Sequence, residues 1–277
     1  AMVVTGNVVT ASVVEGNVGD APITTSGALT VTDVDYNDNP GFTAVTDVAG
    51  NDGYGAFSIT AEGAWSYTLD QSAVQDLDDG DQVTDSITYI ATDSTTQKTI
   101  NVTIDGTNDA PTITSATEGA EGAVTEDDDS LNTATGTITA GDVDSDDSLT
   151  FSVAGTNGTY GTLVIDAASA GDWTYTLDNA LADHLGVAAT ATATDRITVT
   201  VTDSQGDTVT EDVVITITGT NDGPVLNDAN ALPEHHTVAV GSSFTLDIAS
   251  TVKVDVDEND SFNYALEITE NGAVVTP

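Results

Sequence analysis

The residues able to do chemistry in this chain are almost all carboxylates, and they recur at fixed places. Asp105-Gly106-Thr107-Asn108-Asp109-Ala110-Pro111 returns as Thr218-Gly219-Thr220-Asn221-Asp222-Gly223-Pro224, with Asn108 and Asn221 113 positions apart. An Asp-Val-Asp triplet stands at Asp33 and Asp35, at Asp142 and Asp144, and at Asp255 and Asp257. Glu15 matches Glu126, Asp70 matches Asp178, and Asp93 matches Asp203. Crowded carboxylates repel one another, and a hard divalent cation such as calcium, which takes roughly 6–8 oxygen ligands, relieves that repulsion. Solvated acidic loops without metal are the plainer reading. Recurrence at equivalent positions favours the cation.

The spacing also says which kind of site this is. The runs from Asp33, Asp142 and Asp255 open like an EF-hand loop but lack the glycine at position six. Their twelfth residues are Ala44, Val153 and Leu266 in place of glutamate. The glycine-rich nonapeptide repeat of calcium-binding β-rolls is absent. What is left is a junction: acids at the end of one domain meet the paired aspartates near the start of the next. Asp93 or Asp203, after the penultimate strand, comes to the same end as its domain's Asp-Val-Asp.

The elements that must position these acids are strands. Ile100, Val102 and Ile104 alternate with Asn101 and Thr103, and Val213, Ile215 and Ile217 repeat the pattern. One face is apolar and the other largely threonine, which is the period of half-buried antiparallel strands. Strands are predicted near 8–14, 28–32, 43–48, 55–60, 64–69, 85–92 and 98–105. About seven short strands per ~110 residues give an immunoglobulin-like β-sandwich. Ser72–Leu77 and Asn179–Leu185 read as short helical turns. Pro111 and Pro224, among turn residues, close each set as a strand exit.

Two long segments align on each other. Besides the acids, Tyr54-Gly55 matches Tyr160-Gly161, Trp65-Ser66-Tyr67-Thr68-Leu69 matches Trp173-Thr174-Tyr175-Thr176-Leu177, and Asp85 matches Asp195. The reading is three all-β domains in tandem: 1–109, 110–222 and an incomplete third at 223–277. The third stops without the Trp-x-Tyr-x-Leu-Asp run or closing strands.

Composition bounds the function. There are 46 acidic against 3 basic residues, a formal net charge of −43, so nucleic acid and anionic membranes are poor partners. Hydrophobic residues reach 39%, enough for compact cores. No cysteine is present to form a disulfide, and no apolar run approaches the ~18 residues of a membrane span. No signal peptide precedes the first domain, and the sequence reads as an internal piece of something longer.

Other side chains take bland readings. Trp65 and Trp173, with Tyr67 and Tyr175, could stack a sugar, but one repeated strand position is where a core anchor belongs. His235 and His236 are strand neighbours pointing to opposite faces, and His184 stands in a short turn, so all three read as surface residues. Lys98, Arg196 and Lys253 are single charges. There is no cysteine nucleophile, Gly-x-Ser-x-Gly or phosphate loop, and the paired carboxylates sit in loops with no aromatic cleft, so no enzyme is predicted.

In combination, Thr-Asn-Asp-Ala-Pro, Asp-x-Asp and Trp-x-Tyr-x-Leu-Asp resemble the VCBS and cadherin-like repeats of giant bacterial adhesins of the RTX type, over nearly all of residues 8–224. The third segment is nearer a dystroglycan-type cadherin-like opening. The resemblance implies tandem immunoglobulin- or cadherin-like sandwiches in an extended array, made rod-like by calcium and serving cell adhesion or biofilm formation. It implies a secreted, cell-surface protein, monomeric, whose partners are its own neighbouring repeats and, through other domains, host-surface or biofilm ligands. Carried over, the first junction uses Glu15, Asp70, Asp105, Asn108 through its carbonyl, Asp109, Asp142, Asp144 and Asp203. Ser72 and Ala180 stand where a cadherin has a second acid. Equivalent roles fall to Glu126, Asp178, Asn221, Asp222, Asp255 and Asp257 at the second junction, and to Asp33, Asp35 and Asp93 at the start. With Thr218 in place of Asp105 and no counterpart of Asp203, the second junction is expected to bind more weakly. The alternative is a sugar- or protein-binding module near an adhesin tip; an exposed aromatic cluster in residues 224–277 would favour it, and that segment offers only Phe244, Phe262 and Tyr264.

Overall fold

The computed structural model describes residues 2–6, 9–35, 39–115, 117–155, 158–166, 171–186 and 191–223, with the backbone of two short strands, Thr269–Glu270 and Ala273–Val274. Asp255, Asp257, His235, His236, Lys253, Phe244, Phe262 and Tyr264 lie outside the described residues. By internal contacts the chain forms two compact units. One is Ala1–Thr114 with Thr139–Phe151 and Thr200–Thr210, and the other is Ser115–Ile138, Ser152–Val199 and Glu211–Pro277.

The first repeat is a two-sheet sandwich. Strands β1 (Met2–Gly6), β2 (Thr10–Val14), β3 (Thr24–Asp33), β4 (Val45–Ala49), β5 (Gly55–Ile59), β6 (Ala64–Leu69), β7 (Gln82–Ile90) and β8 (Gln97–Asp105) follow in order. One sheet runs β1-β3-β6-β5-β4 and the other β2-β8-β7. The alternation seen in the sequence sets what is buried: Trp65, Tyr67 and Leu69 of β6 and Ile100, Val102 and Ile104 of β8 all join one core with Leu29, Phe57 and Ile87. The predicted strands are present within a few residues at their ends. β1 is an addition, held antiparallel on β3 from Met2 opposite Asp33 to Gly6 opposite Leu29.

The second repeat repeats the plan with β9 (Thr112–Ile113), β10 (Glu121–Thr125), β11 (Thr133–Thr137), β12 (Ala140–Gly141), β13 (Thr150–Val153), β14 (Gly161–Ile165), β15 (Asp172–Leu177), α1 (Asn179–Ala182), β16 (Thr192–Thr202) and β17 (Thr208–Thr218). Its sheets are β11-β15-β14 and β10-β17-β16-β13, with β9 and β12 as a separate pair. The fold is all-β, a β-sandwich, and among the described residues the helical content is the single turn of α1 plus 3₁₀ turns at Gln71–Ala73 and Thr117–Ala120. In each repeat one pairing is parallel: β2 lies on β8, and β10 on β17.

Two features explain why the repeats share Trp-x-Tyr. Trp65 and Trp173 are 2% and 1% exposed, core anchors and not a platform. Each indole lies over a glycine on the neighbouring strand: a Cβ on Gly27 would come within 2.7 Å of Trp65, and one on Gly136 within 2.4 Å of Trp173. The tyrosine two places on donates its hydroxyl to a fully buried carboxylate, Tyr67 to Asp85 at 3.2 Å and Tyr175 to Asp195 at 2.6 Å. Both phenols are held well above their ordinary pKa, by burial and by that carboxylate.

Candidate metal centre

The first set of acids converges within the first unit. Glu15 follows β2, Asn108 and Asp109 follow β8, Asp142 to Asp147 follow β12, and Asp203 to Asp207 form the turn between β16 and β17. In Glu15, Asn108, Asp109 and Asp144 one polar atom is engaged and one is buried without a hydrogen-bond partner, whereas both oxygens of Asp203 are engaged. Gln75 Nε2 donates to Glu15 Oε1 at 2.6 Å, leaving Oε2. Val18 N–H donates to Asp109 Oδ1 at 3.0 Å, leaving Oδ2. Asp109 N–H donates to Asp144 Oδ2 at 2.7 Å, leaving Oδ1. Asn108 Nδ2 donates to Asp203 Oδ2 at 3.2 Å and to Asp207 Oδ2 at 2.9 Å, leaving its carbonyl Oδ1. A buried acceptor left unmet costs about 1–3 kcal/mol, so natural proteins keep such atoms few. Here three of them belong to residues within reach of one another, Asp109 hydrogen-bonded to Asp144 and Glu15 feeling the charge of both, with Asn108 adjoining, and these four atoms are oxygens, the donor set of a hard cation. The residues present fit calcium.

The second set lies in the other unit and is built the same way. Thr220 N–H donates to Glu126 Oε2 at 2.9 Å, leaving Oε1 buried and unpartnered. Glu126, Asp183 and Asp222 bring carboxylate oxygens within 4.8 Å of one another. Asp183 was not anticipated. It occupies the position of Gln75 in the first repeat, so a carboxylate stands where the first site has an amide. The second site is therefore not simply the first with ligands removed.

The remaining predicted ligands have other engagements. Asp70 and Asp178 are exposed and cap the turns that follow them, accepting from Ser72 N–H at 3.1 Å and from Ala180 N–H at 3.2 Å. Ser72 and Ala180, the positions lacking a second acid, are thus part of a cap. Asp105 accepts from Gln82 Nε2 at 2.6 Å, while its carbonyl receives Glu15 N–H at 2.8 Å. Asn221 Nδ2 donates to Asp222 O at 2.7 Å. Asp93 holds a turn, accepting from Thr95 and Thr96, and Asp33 accepts from Asp35 N–H at 2.9 Å. Sequence reasoning also missed Asp147 and Asp207. For Asp147 the signal was present, a third aspartate three residues beyond the pair.

Burial and neighbouring carboxylates set how these acids hold their protons. Burial pushes Glu15 up to about 7, with Asp109 and Asp144 adding to the rise, against the Thr107 N–H and the Gln75 amide that lower it. Burial likewise pushes Asp144 up to about 6, with Asp142, Asp109 and Asp78 adding. Asp142 and Glu126 are raised for the same first reason. Asp203 differs: burial raises it, but Asn108 and the N–H groups of Gly206, Asp207 and Gln205 outweigh that and hold it low. Metal-free protein should therefore lose stability as pH rises. Folded Glu15 and Asp144 retain protons that the unfolded chain releases near pH 4, so stability falls between about pH 4 and about pH 7. Asp93, held down at about 2 by Thr96 and Thr95, acts only below that window. Melting temperatures at pH 5 and 8 in chelator should show the fall, and saturating calcium should abolish it. A rise across the same window without metal would contradict this geometry.

No curated protein matches the chain significantly. Among solved structures it is similar to PcdhgB3 EC1-4, at 18% identity and a TM-score of 0.44, over 79% of this chain and 49% of that one. It is similar to mouse cadherin-23 EC22-24 at 19% identity and 0.44, over 77% and 63%. It is also similar to human mucin-like protocadherin EC1-2 at 15% and 0.41, over 79% and 98%. The chain thus spans about half the length of the first and under two thirds of the second. Residues 108–219 match the family model of the bacterial cadherin-like domain. The matched stretch runs from Asn108 to Gly219, one residue beyond β17, and so resembles a cadherin-like domain across the second repeat.

Proposed function

We propose that this chain is a calcium-stiffened extender segment of a secreted bacterial surface adhesin of the RTX type, built of VCBS- and cadherin-like domains at 1–109, 110–222 and 223–277. The observation that carries this is the set of buried, unpartnered oxygens on Glu15, Asn108, Asp109, Asp142 and Asp144, with Asp109 hydrogen-bonded to Asp144. Bound calcium would supply positive charge and a shared coordination partner. The chain's residues do the rest. Glu15 is held by Gln75, Asp109 by Val18 and Asn108 by Asp203, so the oxygens are positioned before any ion arrives. Without the ion, the same carboxylates repel and the segment around 105–111 loosens. In this reading the protein works outside the cell, as a single chain, and reaches host-surface or biofilm ligands through other domains. No helix among the described residues is long and apolar enough to cross a membrane. Neither catalysis nor nucleic acid has a place in it.

The test is calcium itself. Titration calorimetry of chelator-stripped chain should show several ions bound, and the melting temperature should rise with millimolar calcium. A site near 10⁻⁴ M gains roughly 1.4 kcal/mol at tenfold excess, and several ions add. A melting curve that chelator leaves unchanged would overturn the proposal.

A further inference from the structure

We infer that the loop following β12 is a cation site in its own right, with Asp147 as a direct ligand beside Asp142 and Asp144. This rests on the calcium reading above and specifies which residues hold one ion. Asp142, Asp144 and Asp147 each offer a carboxylate oxygen, and these oxygens all lie within 4.8 Å of one another. Proximity among acids is common, so the weight falls on how each carboxylate is used. Asp142 Oδ1 accepts from Asp144 N–H at 3.2 Å, Asp144 Oδ2 accepts from Asp109 N–H at 2.7 Å, and Asp147 Oδ1 accepts from the Ser204 hydroxyl. The second oxygens, Asp142 Oδ2, Asp144 Oδ1 and Asp147 Oδ2, are buried with no partner, and Asp144 as a whole is 3% exposed. One oxygen of each fixes the side chain and the other faces an unmet need. An Asp147 serving only to receive Ser204 would have no reason to bury its other oxygen.

The loop's own backbone brings the three together. Asp147 N–H closes a turn on Asp144 O at 3.3 Å, so residues 142 to 147 curl round one point. Three carboxylates on one ion give a local charge of −3 without help from Glu15 or Asp109, and affinity follows ligand charge count. The sequence carries the same third aspartate each time: Asp33-x-Asp35-x-x-Asp38, Asp142-x-Asp144-x-x-Asp147 and Asp255-x-Asp257-x-x-Asp260. A residue needed only for one local turn would not have to recur at that spacing. The loop is then the place where the first ion is held, and the ligands around Glu15 and Asp109 add to a centre already charged.

The experiment is calcium calorimetry on the full chain after chelator treatment, with Asp147→Asn, Asp147→Glu, Ser204→Ala and Glu15→Gln. Asp147→Asn should lose one ion per chain, or weaken one class of sites at least tenfold. Asp147→Glu should recover part of that loss, and Ser204→Ala should keep the stoichiometry. Glu15→Gln should leave the loop's ion in place. Wild-type chain that binds no calcium would sink the calcium reading itself. Wild-type chain that binds calcium, with Asp147→Asn unchanged in stoichiometry and affinity, would overturn this inference alone. Loss of every ion in Glu15→Gln would also overturn it, by showing that the loop does not bind independently.

Discussion

Trp173→Ala is expected to destabilise the second repeat by about 3–5 kcal/mol, the range for truncating a buried aromatic. The indole is 1% exposed and closes over Gly136, which has no side chain to move into the space left behind. Its Nε1–H also donates to Gly119 O at 2.9 Å, so the mutation leaves a carbonyl without that donor. Trp65→Ala, over Gly27, should cost a similar amount. Urea denaturation followed by circular dichroism would measure both. Full stability combined with loss of glycan binding would instead restore the sugar-stacking reading of these tryptophans.

Asp195→Asn is the second large effect, expected at roughly 2–4 kcal/mol although the side chains are nearly the same size. Asp195 Oδ1 accepts from Thr159 N–H at 2.7 Å, and Oδ2 accepts from Tyr160 N–H at 3.0 Å and from the Tyr175 hydroxyl at 2.6 Å. Three donors converge on two oxygens. Asparagine keeps one oxygen and turns an N–H₂ towards donors, so at least one buried hydrogen bond is replaced by a clash of like groups. Asp85 in the first repeat receives Asp52 N–H at 3.1 Å and the Tyr67 hydroxyl, and Asp85→Asn should follow suit. Thermal melts of the two variants would decide it, and a shift of less than a degree in both would show that these carboxylates are not the braces they look to be.

The strands were legible because of their apolar period: β6 and β15 alternate without a break, and Ile100, Val102 and Ile104 of β8 and Val213, Ile215 and Ile217 of β17 keep the same buried spacing. β1 was missed because Met2–Gly6 is short and pairs through backbone on β3 with little buried side chain to mark it. That Asn108, Asp109, Asp142, Asp144 and Asp203 come to one end was legible from repetition, since equivalent strand ends lie at equivalent places, whereas Glu15 entered only through the resemblance to cadherin-like repeats. The role of Asn108 through its carbonyl also fits, because its amide nitrogen is occupied by Asp203 and Asp207. Asp183 could not be found by aligning the repeats, because its counterpart is Gln75 and the identity changes. Asp105 looked like a ligand by position, but Gln82, its partner across the β7–β8 pair, engages it. Alignment fixes where a backbone goes, whereas neighbours on adjacent strands decide which way a carboxylate is used.

The parallel pairing of β2 with β8, and of β10 with β17, has a mechanical meaning. β2 enters each sandwich running the same way as β8 leaves it, matched from Thr10 opposite Asn101 to Val14 opposite Asp105, and Glu15 N–H extends the contact to Asp105 O. β10 and β17 do the same from Glu121 opposite Val214 to Thr125 opposite Thr218. Tension transmitted from before β2 to after β8 pulls these two strands in opposite directions along their length. It therefore strains the whole ladder in shear, and the hydrogen bonds must fail together, where an antiparallel end pair would peel open one bond at a time. A chain so threaded resists stretching by its strand order, before any ion contributes.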